Sequence, residues 1–202
     1  MAVKKASPPK RKRARLDVDE RREQLVALGL EMFGKKAYDD VSIDDVAKAA
    51  GISKGLLYHY FPTKRHFYVA GLRESARRLL DATLIESDAP PDRRLRDGLD
   101  AYLVYVEDHA PAFLALFRGG VGADKQVAKV IDECRQEFVE RLLRDVPGAF
   151  DSKLVRTAVR GWVGMVEAAS IDWVAGAGVA RARLRDHLAD VLVAVIASAS
   201  SR

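Results

Sequence analysis

The sequence of 202 residues has a single cysteine, Cys134, and no long apolar run. One cysteine excludes a disulfide bond within the chain and is typical of a reducing compartment. No apolar stretch approaches the roughly 20 residues that a membrane-spanning helix requires. The basic N-terminus is not followed by a hydrophobic segment, so it does not resemble a secretory signal. We therefore expect a cytoplasmic protein without a membrane partner.

The alternation of apolar and polar residues that predicts strands is almost absent, and no internal repeat is present. Apolar residues recur instead at helical spacing, and 49% apolar content is enough for a packed core. The clearest break is "SDAPPD" at 87–92, where two prolines end one helix and begin another. The sequence predicts an all-α protein of about nine helices, the last five near 92–109, 111–118, 124–145, 152–175 and 180–198.

The sequence also lacks the groupings that catalysis or metal binding needs. The four histidines form no ligand-like spacing with Cys134 or with acids. No glycine-rich phosphate loop follows a strand, and no nucleophile motif is present. The glycines of "RGGVGAD" stand between helices and are interpreted as a loop. We expect no enzymatic activity, no metal and no cofactor.

Positive charge is concentrated at the N-terminus. The first 15 residues contain seven Lys or Arg and no acid, and because the formal charge of the chain is +5, the other 187 residues carry −2. Residues 1–16 are predicted to form a disordered arm that seeks phosphate, or else an ordinary solvated extension. The residues of this arm that we expect to contact phosphate are Lys10, Arg11, Lys12, Arg13 and Arg15.

The stretch "GISKGLLYHYFPTK" at 51–64 has three aromatic rings, a histidine and two lysines, but no carboxylate. Ser42 and Ser53 stand where helices would need N-caps, and Ser42 with Asp45 resembles a capping box. Gly51 stands between those two helices, where a turn needs a residue that tolerates positive φ. The spacing fits a helix-turn-helix with a small core of Val46, Ala47, Ala50, Ile52, Leu57 and Phe61.

The outer face of the second of these helices suits the DNA major groove. A helix in that groove needs hydrogen-bond donors, small side chains and rings that can touch thymine methyl groups. Hydroxyl groups and lysines beside it can hold phosphates. The predicted DNA contacts of this region are Ser42, Ser53, Lys54, Gly55, Leu56, Tyr58, His59, Tyr60 and Lys64. The alternative is a helical protein-interaction module without DNA binding.

The run "DDVSIDDVAKAAGISKGLLYHYFPTKRHFY" resembles the tetracycline-repressor (TetR) family of bacterial regulators over about residues 20–70. The resemblance implies a three-helix DNA-binding domain at 17–66. A helical domain at 67–202 would then dimerise and bind a small molecule. Such a regulator, usually a repressor, would bind a palindromic operator as a homodimer in the bacterial nucleoid.

The resemblance also implies roles for single residues. Lys54, Gly55 and Leu56 match the base-facing positions of the family. Tyr58, His59, Tyr60 and Lys64 match its backbone-contacting set, and Ser42 matches its cap on phosphate. Two positions depart from the family: Ala37 replaces the usual glycine before Tyr38, and Asp44 stands where some members place a base-reading basic residue. We expect Asp44 to support the start of its helix rather than to read bases.

The predicted DNA-binding domain has little net charge, because residues 16–66 contain eight Lys or Arg against nine Asp or Glu. We therefore hypothesise that the basic arm supplies the missing attraction, with entry into a minor groove as one route. Removing residues 1–15 would then flatten the salt dependence of DNA affinity. An unchanged slope would exclude this role.

Aromatic residues of the C-terminal half could line a cavity or form an ordinary helical core, and both interpretations stay open. An apolar or amphipathic effector, such as an acyl chain or an aromatic metabolite, would suit such a cavity. The candidates are Tyr102, Tyr105, Phe113, Phe117, Cys134, Phe138, Trp162, Met165 and Trp173. We expect the effector to move the long helix predicted at 64–86 and so to change the separation of two DNA-binding heads.

The last two helices have more apolar surface than one subunit readily hides. Small residues permit close helix approach, and an apolar stripe follows, so a four-helix contact between two copies is expected. The predicted interface residues are Gly161, Gly164, Ala168, Leu184, Leu188, Val191, Leu192 and Val195. Two-fold symmetry then predicts half-sites separated by a helical turn of about 34–36 Å or a multiple of it.

Overall fold

A computed structural model describes residues 18–36, 38–118, 124–146 and 152–201. All regular elements in these ranges are helices, which confirms the prediction of an all-α protein. The nine helices of the described residues are α1 (Val18–Lys35), α2 (Ile43–Ala49), α3 (Lys54–Tyr60), α4 (Lys64–Ala82), α5 (Pro91–Asp108), α6 (Ala110–Arg118), α7 (Lys125–Arg144), α8 (Lys153–Val174) and α9 (Arg181–Ser200).

Short polar side chains set the starts of α2, α3 and α4. The hydroxyl of Ser42 accepts from the backbone N–H of Asp45 at 3.0 Å, and that of Ser53 accepts from Leu56 at 3.1 Å. Thr63 caps α4 in the same way. Each cap satisfies one backbone donor that a helix start would otherwise leave unpaired. Between α2 and α3, Gly51 has a φ of +63°, as the turn requires.

The three N-terminal helices and the start of α4 enclose one core, which we call the head core. Its buried residues are Leu25, Val26, Phe33, Val41, Ile43, Val46, Ala47, Leu57, Phe61 and Phe67. The small core predicted from the sequence is therefore confirmed, with Ala50 and Ile52 partly buried at its edge. Burial of these apolar side chains holds the helix-turn-helix against α1 and α4.

Gly29 allows α1 to approach α4 closely. A Cβ atom at this position would lie 2.6 Å from Cζ of Phe67, in the centre of the head core. Since Phe67 is fully buried, its ring cannot move aside without disturbing its neighbours. A glycine at this helix position is thus required by packing and not by backbone conformation.

Gly29→Ala is expected to destabilise the protein by about 1–3 kcal/mol through overpacking. Gly34→Ala is the matched control, since it is in the same helix and a Cβ there would meet no atom within 4 Å. That control should be neutral or stabilising by up to about 1 kcal/mol. Urea unfolding curves of both variants measure the difference. Equal midpoints would contradict the packing role of Gly29.

Helix α4 joins the head to the rest of the chain without a linker. Phe67 belongs to the head core, whereas Val69 packs with Val127 and Val130 of α7 in a second cluster. The boundary predicted after residue 66 therefore falls inside a continuous helix. The helix ends at Ala82, four residues earlier than predicted, and the hydroxyl of its C-cap residue Thr83 donates to the Leu79 carbonyl at 2.8 Å.

The largest core lies among α5, α7, α8 and α9. The Trp162 indole N–H donates to the Leu188 carbonyl at 2.9 Å and so ties α8 to α9. Leu188 and Leu192 are buried in this core, with 1% and 4% of their surfaces exposed. Their prediction as dimer-interface residues is therefore wrong, because they face inward within one subunit. None of the helices described is long and apolar enough to cross a bilayer.

Candidate functional site

Helix α3 has one buried and one exposed face. Leu57 is fully buried and fixes the helix on the head core. Around it, Lys54, Gly55, Leu56, Tyr58 and His59 are exposed, with Leu56 and Tyr58 each 40% accessible. Exposed apolar and aromatic groups beside a lysine are the side chains that contact base edges and methyl groups in a major groove. The structure thus places these five residues on one protruding surface.

The remaining two candidates at the end of this region are more constrained. Tyr60 is only partly exposed, because it packs against the head core. The Lys64 ammonium lies 4.4 Å above the centre of the Tyr38 ring and 3.4 Å from the carbonyl oxygen of Asp39. Lys64 is therefore held at the head surface by a cation–π contact, with N–H groups still available for a phosphate.

The two serine caps remain able to contact DNA. Ser42 and Ser53 each use the hydroxyl oxygen as an acceptor for a backbone N–H. A hydroxyl also has its own proton to donate. Both serines are exposed, so each hydroxyl can cap its helix and donate to a phosphate at the same time.

An ion pair between α2 and α3 was not predicted. The Lys54 ammonium donates to Asp44 Oδ2 at 2.9 Å. This hydrogen bond raises the pKa of Lys54, so the side chain stays a cation. From its position in the sequence, we expected Asp44 only to support the start of its own helix. The predicted basic arm, including Lys10, Arg11, Lys12, Arg13 and Arg15, and also Ala37 lie outside the described residues.

The C-terminal half contains an apolar cavity of about 560 Å³, which we call the chamber. Helices α4 to α9 all contribute to its wall. Seven of the nine predicted ligand residues line it, namely Tyr102, Tyr105, Phe113, Phe117, Cys134, Phe138 and Trp162. The volume lies within the range of about 300–1,000 Å³ that is usual for small-molecule sites.

The other two predicted ligand residues do not line the chamber. The Trp173 indole N–H donates to the Val179 carbonyl at 2.8 Å, beyond the end of α8, so this side chain braces a loop. Met165 is exposed on the outer face of α8. Both predictions were wrong because an aromatic or flexible apolar residue on a helix does not reveal which side of the helix faces inward.

The prediction also missed the part of α4 that lines the chamber. Leu72, Ser75, Ala76 and Leu79 form this wall. Leu72, Ala76 and Leu79 are spaced by four and three residues, so helical periodicity could have found them. Since three residues separate the end of α3 from the start of α4, the helix that lines the chamber starts beside the exposed face of α3.

The cationic groups around the chamber are already paired. Arg135 Nε donates to Glu167 Oε2 at 2.9 Å, and Arg94 Nη2 donates to Asp145 Oδ1 at 2.6 Å. Arg141 pairs with a carboxylate of its own helix, Glu137, and donates to the Leu80 carbonyl. Arg144, at the rim, is also near that carboxylate. The described wall therefore offers a ligand no unpaired cation.

The hydroxyl and thiol groups of the chamber are neutral at pH 7. The hydroxyls of Tyr105 and Ser75 bond to each other at 2.8 Å. Burial raises the pKa of Tyr102 well above its usual range. Burial likewise raises the pKa of the Cys134 thiol to about 11, so this cysteine is a poor nucleophile.

Part of the outer surface of α8 and α9 is formed by small and apolar residues. At Gly161 and Gly164 a Cβ atom would meet nothing within 4 Å, so both positions are open to another surface. Ala168 and Met165 continue this stripe, while Leu184 packs at the edge of the inner core. On α9, Val191 and Val195 border a shallow groove with Leu154, Ala158, Ala194, Ser198 and Ala199.

The fold and these sites define an all-helical protein with a helix-turn-helix head, an internal chamber and an exposed apolar surface on α8 and α9. Residues 25–70 match the family described as bacterial regulatory proteins, tetR family. Residues 91–195 match the tetracyclin repressor-like C-terminal domain. The chain belongs to the TetR family.

Several characterised proteins and solved structures are similar. The HTH-type transcriptional activator FasR of Mycolicibacterium smegmatis is 29% identical over 137 residues, covering 65% of this chain and 63% of FasR. The HTH-type transcriptional regulator EthR of Mycobacterium tuberculosis is 28% identical over 162 residues, covering 78% and 73%. A tetR-family transcriptional regulator from Streptomyces coelicolor has a TM-score of 0.83 and 32% identity, covering 92% and 84%.

The matches to the first curated relatives are partial. They cover 63%, 49% and 35% of the three relatives' own lengths. The fatty acid degradation regulator FadR of Bacillus halodurans shares the fold, with a TM-score of 0.65 at 15% identity over 86% of this chain and 94% of FadR. The relatives are transcription regulators and not enzymes.

Proposed function

We propose that the protein is a transcription regulator that binds duplex DNA and releases or engages it in response to a small molecule. The observation that carries this proposal is the exposed face of α3, which presents Lys54, Leu56 and Tyr58 while Leu57 fixes its inner face. Such a helix can enter a major groove without rearrangement of the head. Most members of its family act as repressors, and we assign repression here.

The DNA-bound form that we propose is a homodimer on a palindromic operator. The apolar face around Gly161, Met165, Ala168, Val191 and Val195 would pair with its two-fold copy. The two α3 helices would then reach half-sites about 34–36 Å apart, or a multiple of this distance. Binding to DNA places the protein at the nucleoid, in the bacterial cytoplasm.

A mobility-shift assay tests the proposal directly. Duplexes from the region upstream of the gene are titrated with the full-length protein, and an unrelated duplex of equal length serves as competitor. A shift that survives the competitor supports a regulator. If the protein shifts no duplex from the upstream region and none from a random-sequence library, a protein-interaction module is favoured instead.

We further propose that the effector is uncharged and mainly apolar. A buried carboxylate or ammonium needs an opposite charge, because desolvation of a lone ion is costly. The described guanidinium groups of the chamber wall are already engaged by Glu167, Asp145 and Glu137. What remains for a ligand is apolar surface with neutral hydroxyl and thiol groups, such as those of Tyr102 and Cys134.

Matched ligand pairs test this chemistry. A fatty acid and its methyl ester, and an aromatic acid and its methyl ester, differ only in charge. We expect an ester to raise the melting temperature by roughly 5–10 °C at a hundred times its Kd, because binding stabilises the native state by mass action. The corresponding acid should give a much smaller shift. A larger shift with an acid would contradict the uncharged effector, and no shift with either pair would contradict the acyl and aromatic classes.

Helix α4 is the route from the chamber to DNA in this proposal. Its residues Leu72, Ala76 and Leu79 line the chamber, and Lys64 at its start flanks α3. An inducer shifts the protein only if it prefers the form in which the two heads fit the operator poorly. Spin labels on the two heads should therefore report a changed distance at saturating effector. An unchanged distance would exclude this route.

A further inference from the structure

The ion pair between Asp44 and Lys54 connects the two helices of the helix-turn-helix on its exposed side. Asp44 is in the first turn of α2, and Lys54 is the first residue of α3. Their side chains are 69% and 50% accessible, and the ammonium lies 2.9 Å from Oδ2. The pair is therefore a surface feature at the edge of the face proposed to enter the major groove.

Stability does not account for this pair. An ion pair as exposed as this one contributes little to folding, because water and salt screen it and both side chains lose freedom. Burial of Leu57 and Phe61 already fixes α3 against the head core. The consequence of the pair lies in what Lys54 can do at the surface.

The pair changes the partner that Lys54 selects. A free lysine on this surface would seek any phosphate, since an ammonium is an unselective point charge. Asp44 neutralises it locally and would itself be repelled by phosphate oxygens. The pair as a whole is therefore suited to base edges, where donors and acceptors alternate, and poorly suited to the DNA backbone.

The hydrogen-bonding capacity of the pair matches one base pair in particular. An ammonium has three N–H donors, so two remain after the bond to Asp44. Among the described residues, Asp44 Oδ1 accepts no hydrogen bond, so it can take one from a ligand. In the major groove a G·C pair presents two neighbouring acceptors, guanine N7 and O6, followed by the cytosine N4 amino donor. An A·T pair places the adenine amino donor between its acceptors.

Resting on the DNA-binding function proposed above, we infer that Asp44 and Lys54 together read a G·C base pair in each operator half-site. Lys54 donates to guanine N7 and O6, and Asp44 holds the ammonium in place and accepts from cytosine N4. Asp44 is thus a specificity-determining residue of this chain. It stands where some members of the family place a base-reading basic residue, so the specificity would differ from theirs.

Selection from a randomised duplex library tests the inference with the full-length protein. The wild type should enrich one G·C pair per half-site, and changing that pair to A·T should weaken binding by about ten- to a hundredfold. Asp44→Asn keeps the shape and one oxygen acceptor but removes the negative charge that neutralises Lys54, so we expect the preference at this position to fall below about threefold. Asp45→Asn is the matched control, because it removes the same charge from the neighbouring residue, which has no bond to Lys54.

The outcomes separate the inference from the function on which it rests. If the wild type enriches no sequence, the DNA-binding function itself fails. If it enriches an operator and Asp44→Asn keeps the same preference, the function stands and the inference is wrong. Equal loss of preference in Asp45→Asn would show an effect of bulk charge and would also overturn it. Unchanged urea midpoints of both variants confirm that the heads are folded.

As an independent readout, 7-deazaguanine at the selected position removes only the N7 acceptor. Wild-type affinity should fall by several-fold, whereas Asp44→Asn, which no longer directs Lys54 to this base, should be insensitive. Equal sensitivity of both proteins to the modified base would overturn the role of Asp44.

Discussion

Replacing Tyr58 and Lys64 together by alanine is expected to lower operator affinity by at least about a hundredfold. Both side chains flank the exposed face of α3, and both can donate to phosphate oxygens. A hydrogen bond to a charged group contributes about 1.5–3 kcal/mol, so the loss of two such contacts exceeds 3 kcal/mol if they act independently. Because phosphate contacts carry no sequence information, the double variant should lose affinity for operator and for unrelated DNA by similar factors.

The structure allows this loss without unfolding of the head. Tyr58 is 40% exposed, and the Lys64 ammonium contacts the face of the Tyr38 ring and the Asp39 carbonyl. The core residues Leu57, Phe61 and Phe67 are untouched. Substitution of exposed side chains away from buried networks usually changes stability by less than about 0.5 kcal/mol, with some further loss here from the cation–π contact.

Fluorescence anisotropy of a labelled operator at several salt concentrations measures the effect. The slope of log affinity against log salt should decrease by roughly 0.9 for the lost Lys64 contact. Lys129→Ala provides the control, because it removes an exposed lysine from α7, far along the chain from the head. Equal affinities of the double variant and the wild type would place the DNA surface elsewhere.

The helices and the helix-turn-helix could be predicted from the sequence because local signals determine them. Ser42, Ser53 and Thr63 each cap a helix within three residues, and Pro91 starts α5. Gly51 is required by one backbone angle. Each of these features depends only on neighbours along the chain, so the printed order of residues contains the information.

The ion pairs between helices could not be predicted in this way. Asp44 and Lys54 are ten residues apart, and Arg65 and Asp124 are 59 residues apart. Whether such charges meet depends on the angle and rotation of the packed helices. No spacing rule within one helix supplies that information, and charged residues are common on every exposed surface.

The face of α9 that packs in the core could not be predicted from the sequence either. Its apolar residues surround most of the helix, so periodicity alone does not tell the core side from the dimer side. The structure places Leu188 and Leu192 inside and leaves Val191 and Val195 near the surface. Chamber residues were predicted better because aromatic side chains concentrate where α5, α6 and α7 face one another.

An ion pair between Arg65 of α4 and Asp124 at the start of α7 connects the head to the chamber. Arg65 Nη2 donates to Asp124 Oδ1 at 2.7 Å, and Arg65 Nε lies 2.6 Å from Oδ2. The same carboxylate caps α7 by accepting from the backbone N–H groups of Gln126 and Val127. One side chain therefore ties the residue next to Lys64 to a helix that contributes Val130, Cys134 and Phe138 to the chamber wall.

The bond to Arg65 lowers the pKa of Asp124. A carboxylate with a lowered pKa is ionised in the folded protein at every pH above its ordinary range, and the pair is lost only as pH falls through the lowered value. The coupling between effector binding and DNA binding in the wild type should therefore be constant from weakly acidic to weakly alkaline solution. The ion pair can transmit a movement of α7 throughout this range.

Asp124→Asn is expected to uncouple effector from DNA while leaving each ligand bound. Asparagine retains the side-chain oxygen that caps α7 but loses the charge that holds Arg65. Allosteric coupling is typically about 1–3 kcal/mol, which is a 5- to 150-fold change in the affinity for one ligand when the other binds. In the variant we expect the effector to change operator affinity by less than about twofold. Because coupling is reciprocal, effector affinity measured with and without operator must show the same loss.

Glu133→Gln is the control. It breaks a more exposed ion pair between α4 and α7, the pair with Arg73, and should keep wild-type coupling. Equal coupling in all three proteins would mean that the signal passes through the packed residues Val69, Val127 and Val130 instead.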